Sequence, residues 1–461
     1  MKSQFNVKFN WSLFTGTAIA IFFLFPNLSW YSYFAILITL QQFLLLFYSF
    51  DYLIPIRYLF GAFMCLQILL GPALAYNGLD SFQHDHNKMQ IPEAEYFSYV
   101  IPAVICFIAG LHLWSQKLKG EVLDIDRIKA FINEKKTLPY IFIAIGFVSS
   151  IIADFFSSQL AFVFYLLGSF KYIGAFMLIL GNVSLKIIPL ILVYGSIIVS
   201  SLGEGMFHDL LTWLIFLSAV LAIRFQPKVT AKLFFAIAFI VLSVSIQLLK
   251  GDYRQATWER GEEKGINTFA KAYEQSQTEN MFFSVKSLSQ SNLRINQGFI
   301  ITHIMKTVPK KVPYSNGSEM REVLEAAILP RFLVPNKLTA GNRDVFMKYT
   351  SLTLNKNTSM GLSSLGDAYI NFGIIGGCAF MFFLGLLYSE VLKLFFKYSR
   401  EFPVLLLFTP MVFYYPIRPD CELQTILGHL VKSCFLIFAV HLFWKTKFQL
   451  KKMTFFNYSE V

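Results

Sequence analysis

The sequence predicts an all-α polytopic membrane protein with about twelve transmembrane helices, because a run of some 20 apolar residues spans a bilayer as a helix. Two further observations point the same way. Hydrophobic residues make up 55% of the 461, with 51 Phe and 22 Tyr, and the mean hydropathy is +0.54. The succession of apolar blocks is also broken only once at length, by a polar stretch from Gly251 to about Leu365.

The blocks follow one another as expected helices at about Trp11 to Phe25, Trp30 to Phe50, Leu53 to Ala75 and Phe97 to Trp114. The next five lie at Leu138 to Phe156, Leu160 to Gly181, Ile187 to Gly203, Met206 to Ile223 and Leu233 to Lys250. After the polar stretch come Ala368 to Leu392, Pro403 to Ile417 and Gln424 to Trp444. Lys2 and Lys8 ahead of the first block, with Ala18 and Ala20 near its end, also fit a signal peptide. The apolar run continues past Ala20, however, and a second helix follows at once, which favours a span.

This divides the chain into residues 1–250 with helices one to nine, an outer-face loop over 251–365, residues 366–445 with helices ten to twelve, and a basic cytoplasmic tail over 446–461. Cys65, Cys106, Cys378 and Cys434 lie in apolar blocks and Cys421 stands alone in a short loop, so neither a disulfide framework nor a CxxC metal site is expected. The net charge of +12 reads as topology and excludes a nucleic-acid role. Lys117, Lys119, Arg127, Lys129, Lys135, Lys136, Lys186, Arg224, Lys228 and Lys232 all fall in loops of one side, as do Lys397, Arg400, Lys445, Lys447, Lys451 and Lys452. The opposite short loops hold only Lys88 and Arg418. The bias of Lys and Arg toward the cytoplasm therefore places both termini inside and the insert outside.

Within the insert, Phe269, Tyr273, Met281, Phe282, Val285 and Leu288 recur at roughly helical intervals, and Met320, Val323, Leu324, Ala327 and Ile328 form a stripe after a Ser318 cap. Short amphipathic helices lying over the membrane are the expectation.

Cations beside turns form the main chemical signal: Lys250, Tyr253 and Arg254; Arg294 before Gly298; Arg331 between prolines; Arg418 before Asp420 and Glu422. An Arg fork grips a diphosphate bidentately and stabilises it as a leaving group without a metal. Taken singly, each is equally a solvated charge or a headgroup anchor. Lys171 sits mid-span, where a charge is costly unless it lines a polar cavity or snorkels. Outer segments offer proton acceptors in Glu204, His208, Asp209, Asp367 and His303, although Asp209 and Asp367 equally suit helix capping. Gly373, Gly377 and Gly385 read as close helix packing.

The run Leu329-Pro-Arg331-Phe-Leu-Val-Pro335-Asn-Lys337, followed by Thr358-Ser-Met-Gly361 and Gly366-Asp-Ala-Tyr369-Ile-Asn-Phe-Gly373, resembles the Wzy-type O-antigen and oligosaccharide repeat-unit polymerases. Gly205-Met-Phe-His-Asp209, Lys250 to Arg254 and Arg294 to Gly298 share that resemblance. It implies a metal-independent, inverting glycosyltransferase of the bacterial inner membrane, with no cofactor and a GT-C-like architecture. Its substrate would be an undecaprenyl-diphosphate-linked oligosaccharide, joined at the outer face into surface polysaccharide, with a chain-length regulator as a further partner. The resemblance implies arginines that hold the diphosphate and leaves the base open; Arg254 and Arg294 stand in its motifs, and the cation pattern adds Arg418 to the expected clamp. An O-antigen ligase, a secondary transporter and a scaffold remain alternatives, and the lack of an internal repeat speaks against transport.

Overall fold

The computed structural model describes residues 9–113, 123–156, 158–181, 187–278, 284–329, 333–334, 337–355 and 358–447. All regular structure among them is helical. Nine of the described helices are long and apolar enough to cross a membrane, or ten if Ile125–Glu134 and Leu138–Ile152, which meet at 83°, form one span. The chain is thus an α-helical polytopic membrane protein.

The two remaining blocks are built differently. Trp11–Leu24 is a helix of 14 residues, about 21 Å long at 1.5 Å per residue. In the block expected at Pro403 to Ile417, prolines 403, 410 and 416 prevent a continuous helix. A 3₁₀ segment, Pro403–Phe408, leads into the single turn Thr409–Val412. Residues 402–414 are all buried, and irregular backbone is tolerated at membrane depth only where protein surrounds it.

Contacts between loops sort the chain into two ends. At one end Lys232 pairs with Asp51 at 2.6 Å, Arg127 donates to the Arg400 carbonyl at 2.6 Å, and Lys445 approaches Glu401 at 3.8 Å. At the other, Ser29 and Ser32 donate to Glu93, Gln83 donates to Ser289 at 2.8 Å, and the His303 ring meets the His86 carbonyl at 2.9 Å. Arg127, Lys232 and Lys445, expected on one side, thus pair at loops of one end, while Lys117, Lys119, Lys186, Lys451 and Lys452 lie outside the described residues.

Small residues close the core. A Cβ on Gly110 would stand 2.1 Å from the Phe382 carbonyl oxygen, and one on Gly385 would stand 2.2 Å from that of Phe107. The helices Glu93–His112 and Ser363–Ser399 thus pack backbone to backbone. Gly377 serves the same contact against Tyr99, whereas Gly373 (φ 66°) breaks the helix beneath the Tyr314 ring.

The polar insert folds as Ile266–Thr278, Val285–Ile295, Gly298–Thr307, Ser318–Ile328 and Arg343–Thr350. Gly317 precedes the fourth of these, with Ser318 as its first residue. Its buried stripe is Met320, Val323, Ala326 and Ala327, while Leu324 and Ile328 stay exposed. Met281 and Phe282 lie outside the described residues. The segment around Asn292 to Gly298 plugs into the bundle instead of resting on it: Asn292 donates to the Gly71 carbonyl at 3.0 Å and the Gln297 amide to that of Gln67 at 3.0 Å. The receiving helix, Ile56–Leu79, opens into π turns at Cys65–Leu70 and Ala75–Leu79. A π turn widens the helix and redirects its carbonyls.

Candidate functional site

The helix expected to stop at Lys250 runs on through Gly251 to Trp258, spanning Val229–Trp258. An isolated glycine weakens a helix without ending it, so Lys250 and Arg254 fall one turn apart on one face. Arg254 donates from Nε to the Gly205 carbonyl at 2.9 Å and lies over the Trp258 ring at 4.5 Å. Gly205 adopts φ 64° and keeps the loop against this side chain. Tyr253 points the other way and is fully buried. Its hydroxyl donates to the Leu202 carbonyl at 2.6 Å and accepts from the Gly265 amide at 3.0 Å. The substrate contact expected of Tyr253 is thus replaced by a pin between loops.

The docked insert delivers Arg294 over Gly251, where a Cβ would stand 3.0 Å from its Nη2. Burial lowers its pKa and the nearby Asp252 opposes that. Arg418 arrives from the loop before the last helix; its Nη2 donates to Asp420 at 2.8 Å, and its guanidinium lies 5.5 Å from the Tyr415 ring centroid. Burial disfavours the Arg418 cation, but the Asp420 carboxylate more than offsets it, and Arg418 holds Asp420 below the usual carboxylate range against the same burial. Lys250 is within electrostatic reach of Arg254, Arg294, Arg418 and Asp420. Four cations from a spanning helix, the insert and a distant loop therefore converge.

A proton-handling pair borders them. His208 Nε2 sits 2.5 Å from Asp209 Oδ1, and the Tyr414 hydroxyl donates to the same oxygen. Arg418 acts on Asp209, and His208 on Asp420. Beneath them Trp213 stacks on Tyr172 at 3.9 Å and on Tyr414 at 5.9 Å. With Nε2 facing a carboxylate, the lone pair of Nδ1 is the one left to accept a proton.

Asp367 stands apart, on the far side of the Arg418–Glu422 loop. Its Oδ2 accepts from the Leu423 amide at 2.9 Å, capping the last helix. It also lines a small recess, partly open to solvent, with Glu319, Glu422, Asn342, Asn371, Tyr349 and Gln424. Glu422 accepts from the Gly341 amide at 2.6 Å, and burial holds its carboxyl above the usual range. Arg418 and Glu422 thus hang from opposite sides of one loop, Arg418 paired to Asp420 and Glu422 beside a Glu319 that pairs with Lys348 at 2.8 Å.

Three expected residues do not join the cluster. His303 is buried with its ring 2.9 Å from the His86 carbonyl, holding that loop, and burial lowers its pKa. Lys171 lies between the Phe147 and Tyr172 rings at 5.3 and 5.4 Å, cushioned by aromatic faces. Glu204 is exposed and accepts from Ser200 at 3.3 Å. Arg331 lies outside the described residues. Among the described residues no three of His, Cys, Asp and Glu are grouped to hold a metal ion. Sequence reasoning missed Tyr414, Tyr415 and Trp258, although the Tyr-Tyr-Pro run before Arg418 was a usable signal.

The family described as Domain of unknown function (DUF8712) matches residues 14–403, and the chain belongs to it. No curated protein and no solved structure matches the chain.

Proposed function

We propose that this DUF8712 member is a glycosyltransferase that polymerises polyprenyl-diphosphate-linked oligosaccharide repeat units at the outer face of a bacterial inner membrane. In this reading the chain crosses about twelve times, with Trp11–Leu24 and the buried 402–417 segment as irregular crossings and both termini cytoplasmic. The paired Lys and Arg loops then face the cytoplasm, and the cation cluster faces outward.

The observation that carries the proposal is the placement of Arg294 over Gly251, between Lys250 and Arg254 on one helix, with Arg418 in electrostatic reach of Lys250. Of these cations only Arg418 is held, among the described residues, by a carboxylate at ion-pair distance, Asp420, and a cluster with cations to spare suits a diphosphate. The acceptor hydroxyl of one repeat unit attacks the anomeric carbon of another. The new C–O bond forms as the bond to diphosphate breaks, and the electron pair leaves on the diphosphate oxygen, which the arginines stabilise. His208 takes the hydroxyl proton at Nδ1, and Asp209, held by Tyr414, steadies the imidazolium. One displacement inverts the anomeric centre.

Alanine at Arg254 or Arg294 is expected to shorten or abolish surface polysaccharide at normal protein level, and Arg418→Ala to do so when polymer is compared per amount of folded protein. Undiminished polymer in all three ends the proposal. Purified protein given lipid-linked repeat units alone separates a polymerase from a ligase, since a ligase needs a second acceptor. Repeat units stranded on the cytoplasmic side of cells lacking the protein would indicate transport instead.

A further inference from the structure

The helix Val229–Trp258 is unlike the other spans, because almost none of its apolar length is buried. Leu233, Phe234, Ile237, Ile240, Val241 and Leu242 are all exposed. The helices it chiefly packs against, Ile266–Thr278 and Val285–Ile295, belong to the insert at its outer end. It is nevertheless fastened at both extremities. Lys232 binds Asp51 at 2.6 Å and lies over Phe47 at 5.2 Å at the inner end. Tyr253 and Arg254 bond the Leu202 and Gly205 carbonyls at the outer end. It is a strut, tied at its ends and open between them.

One stripe faces inward. Lys232, Ala236, Phe239, Ser243, Ile246 and Lys250 recur at alternating fours and threes. Only Ile246 among them is buried, and the others are half-buried. The stripe covers about 27 Å, close to the hydrocarbon thickness of about 30 Å. Ser243 returns its hydroxyl to the Phe239 carbonyl at 2.8 Å, so it offers hydrocarbon no unpaired donor. At its outer end the stripe terminates in Lys250, inside the cation cluster.

We propose that the gap between this strut and the bundle is a lateral portal that seats the hydrocarbon tail of a polyprenyl diphosphate along Ala236, Phe239 and Ser243, while the diphosphate rests on the cations above. Charge complementarity selects this occupant: a neutral lipid has nothing to engage Lys250, and a soluble sugar phosphate has no use for the stripe. The inference rests on the anion site of the proposed function and adds the tail path.

The test uses the full chain in nanodiscs of zwitterionic phospholipid, with a benzophenone amino acid placed at Phe239 or, on the opposite face, at Val241. The probe is a radiolabelled long-chain polyprenyl diphosphate. Labelling at position 239 is expected to exceed that at 241 by about tenfold, and to be displaced by unlabelled polyprenyl diphosphate but not by the uncharged polyprenol. Equal labelling at both positions, or equal displacement by polyprenol, overturns the portal. Anion binding is read separately, as the change in Trp258 fluorescence on adding inorganic diphosphate, with Trp258→Phe identifying the signal. A normal fluorescence response without labelling at 239 defeats the portal alone and shows that the variant is folded. Absence of the response defeats the anion site of the proposed function, and labelling at 239 decides the tail path by itself.

Discussion

The loop Arg418 to Glu422 separates a cation-rich environment from one richer in acids. On one side Arg418, paired to Asp420, joins Lys250, Arg254 and Arg294; on the other Glu422 joins Asp367 and Glu319 around a recess, where Lys348 pairs with Glu319 at 2.8 Å. Both sides are partly desolvated, yet burial is met differently. Arg418 and Asp420 offset it with a partner of opposite charge, whereas among the described residues Glu422 is met by the neutral donors Gly341 N and Thr425 Oγ1. A buried charge held by an ion partner is costly to unpair, and one held by neutral donors is the easier to neutralise.

The largest effect expected from this contrast is at Arg418. Arg418→Ala leaves Asp420 without its partner and should lower stability by about 3 kcal/mol while removing activity. Thermal unfolding of the detergent-purified protein measures the first, and Asp420→Asn in the same background should recover much of the loss. A variant as stable as the native protein would erase the distinction between the two sides of the loop.

Arg254→Ala should separate activity from stability. It removes one bond to a carbonyl, worth about 1 kcal/mol, but one of the groups meeting the leaving diphosphate, so transfer should fall about 100-fold. Initial rates at matched folded protein decide this.

Across the loop, Asp367→Asn retains an oxygen for the Leu423 amide and should leave stability nearly unchanged, whereas Asp367→Ala should lose about 1 kcal/mol as a missing cap. If the Asn variant is stable but inactive, the recess takes part in the reaction. If it is active, Asp367 is a cap and the acceptor lies nearer His208.

The smallest effect is in pH dependence, where the two sides have opposite sign. Glu422, held above the usual carboxylate range, favours the fold at low pH, and that contribution is lost as pH rises through its native value. Asp420, held below that range, contributes at neutral pH and is lost only as pH falls through its depressed value. Glu422→Gln should therefore raise the melting temperature near pH 7 by about 1–2 °C, and the gain should vanish on acidification toward the ordinary Glu range. A gain that grows instead on acidification would reverse the assignment.

Much of this was legible in one dimension. Apolar runs long enough to span reported themselves, because lipid leaves backbone groups no partner outside the helix. The sidedness of Lys and Arg foretold which loops meet, as Arg127 with Arg400 shows. Lys250, Arg254, Arg294 and Arg418 were singled out by type and by position near turns, and His208 with Asp209 by adjacency. Other features were hidden. Gly251 looked like a stop, but the Val285–Ile295 helix packs on its helix and sets Arg294 against Gly251, and the extension beyond it turned Tyr253 away from the cluster. Pro403 to Ile417 read as a helix by hydropathy, although hydropathy is blind to the missing amide hydrogens of its prolines.

The sequence alone determined the solvent of each segment and the chemistry available at each loop, since both depend on side-chain type and short-range pattern. Which of the scattered cations would meet, which tyrosine would be buried and which helix would stand free of its neighbours were decided by tertiary packing. Those outcomes depend on contacts between residues far apart in the chain, such as Asn292 with Gly71 or Arg254 with Gly205, and no local periodicity encodes them.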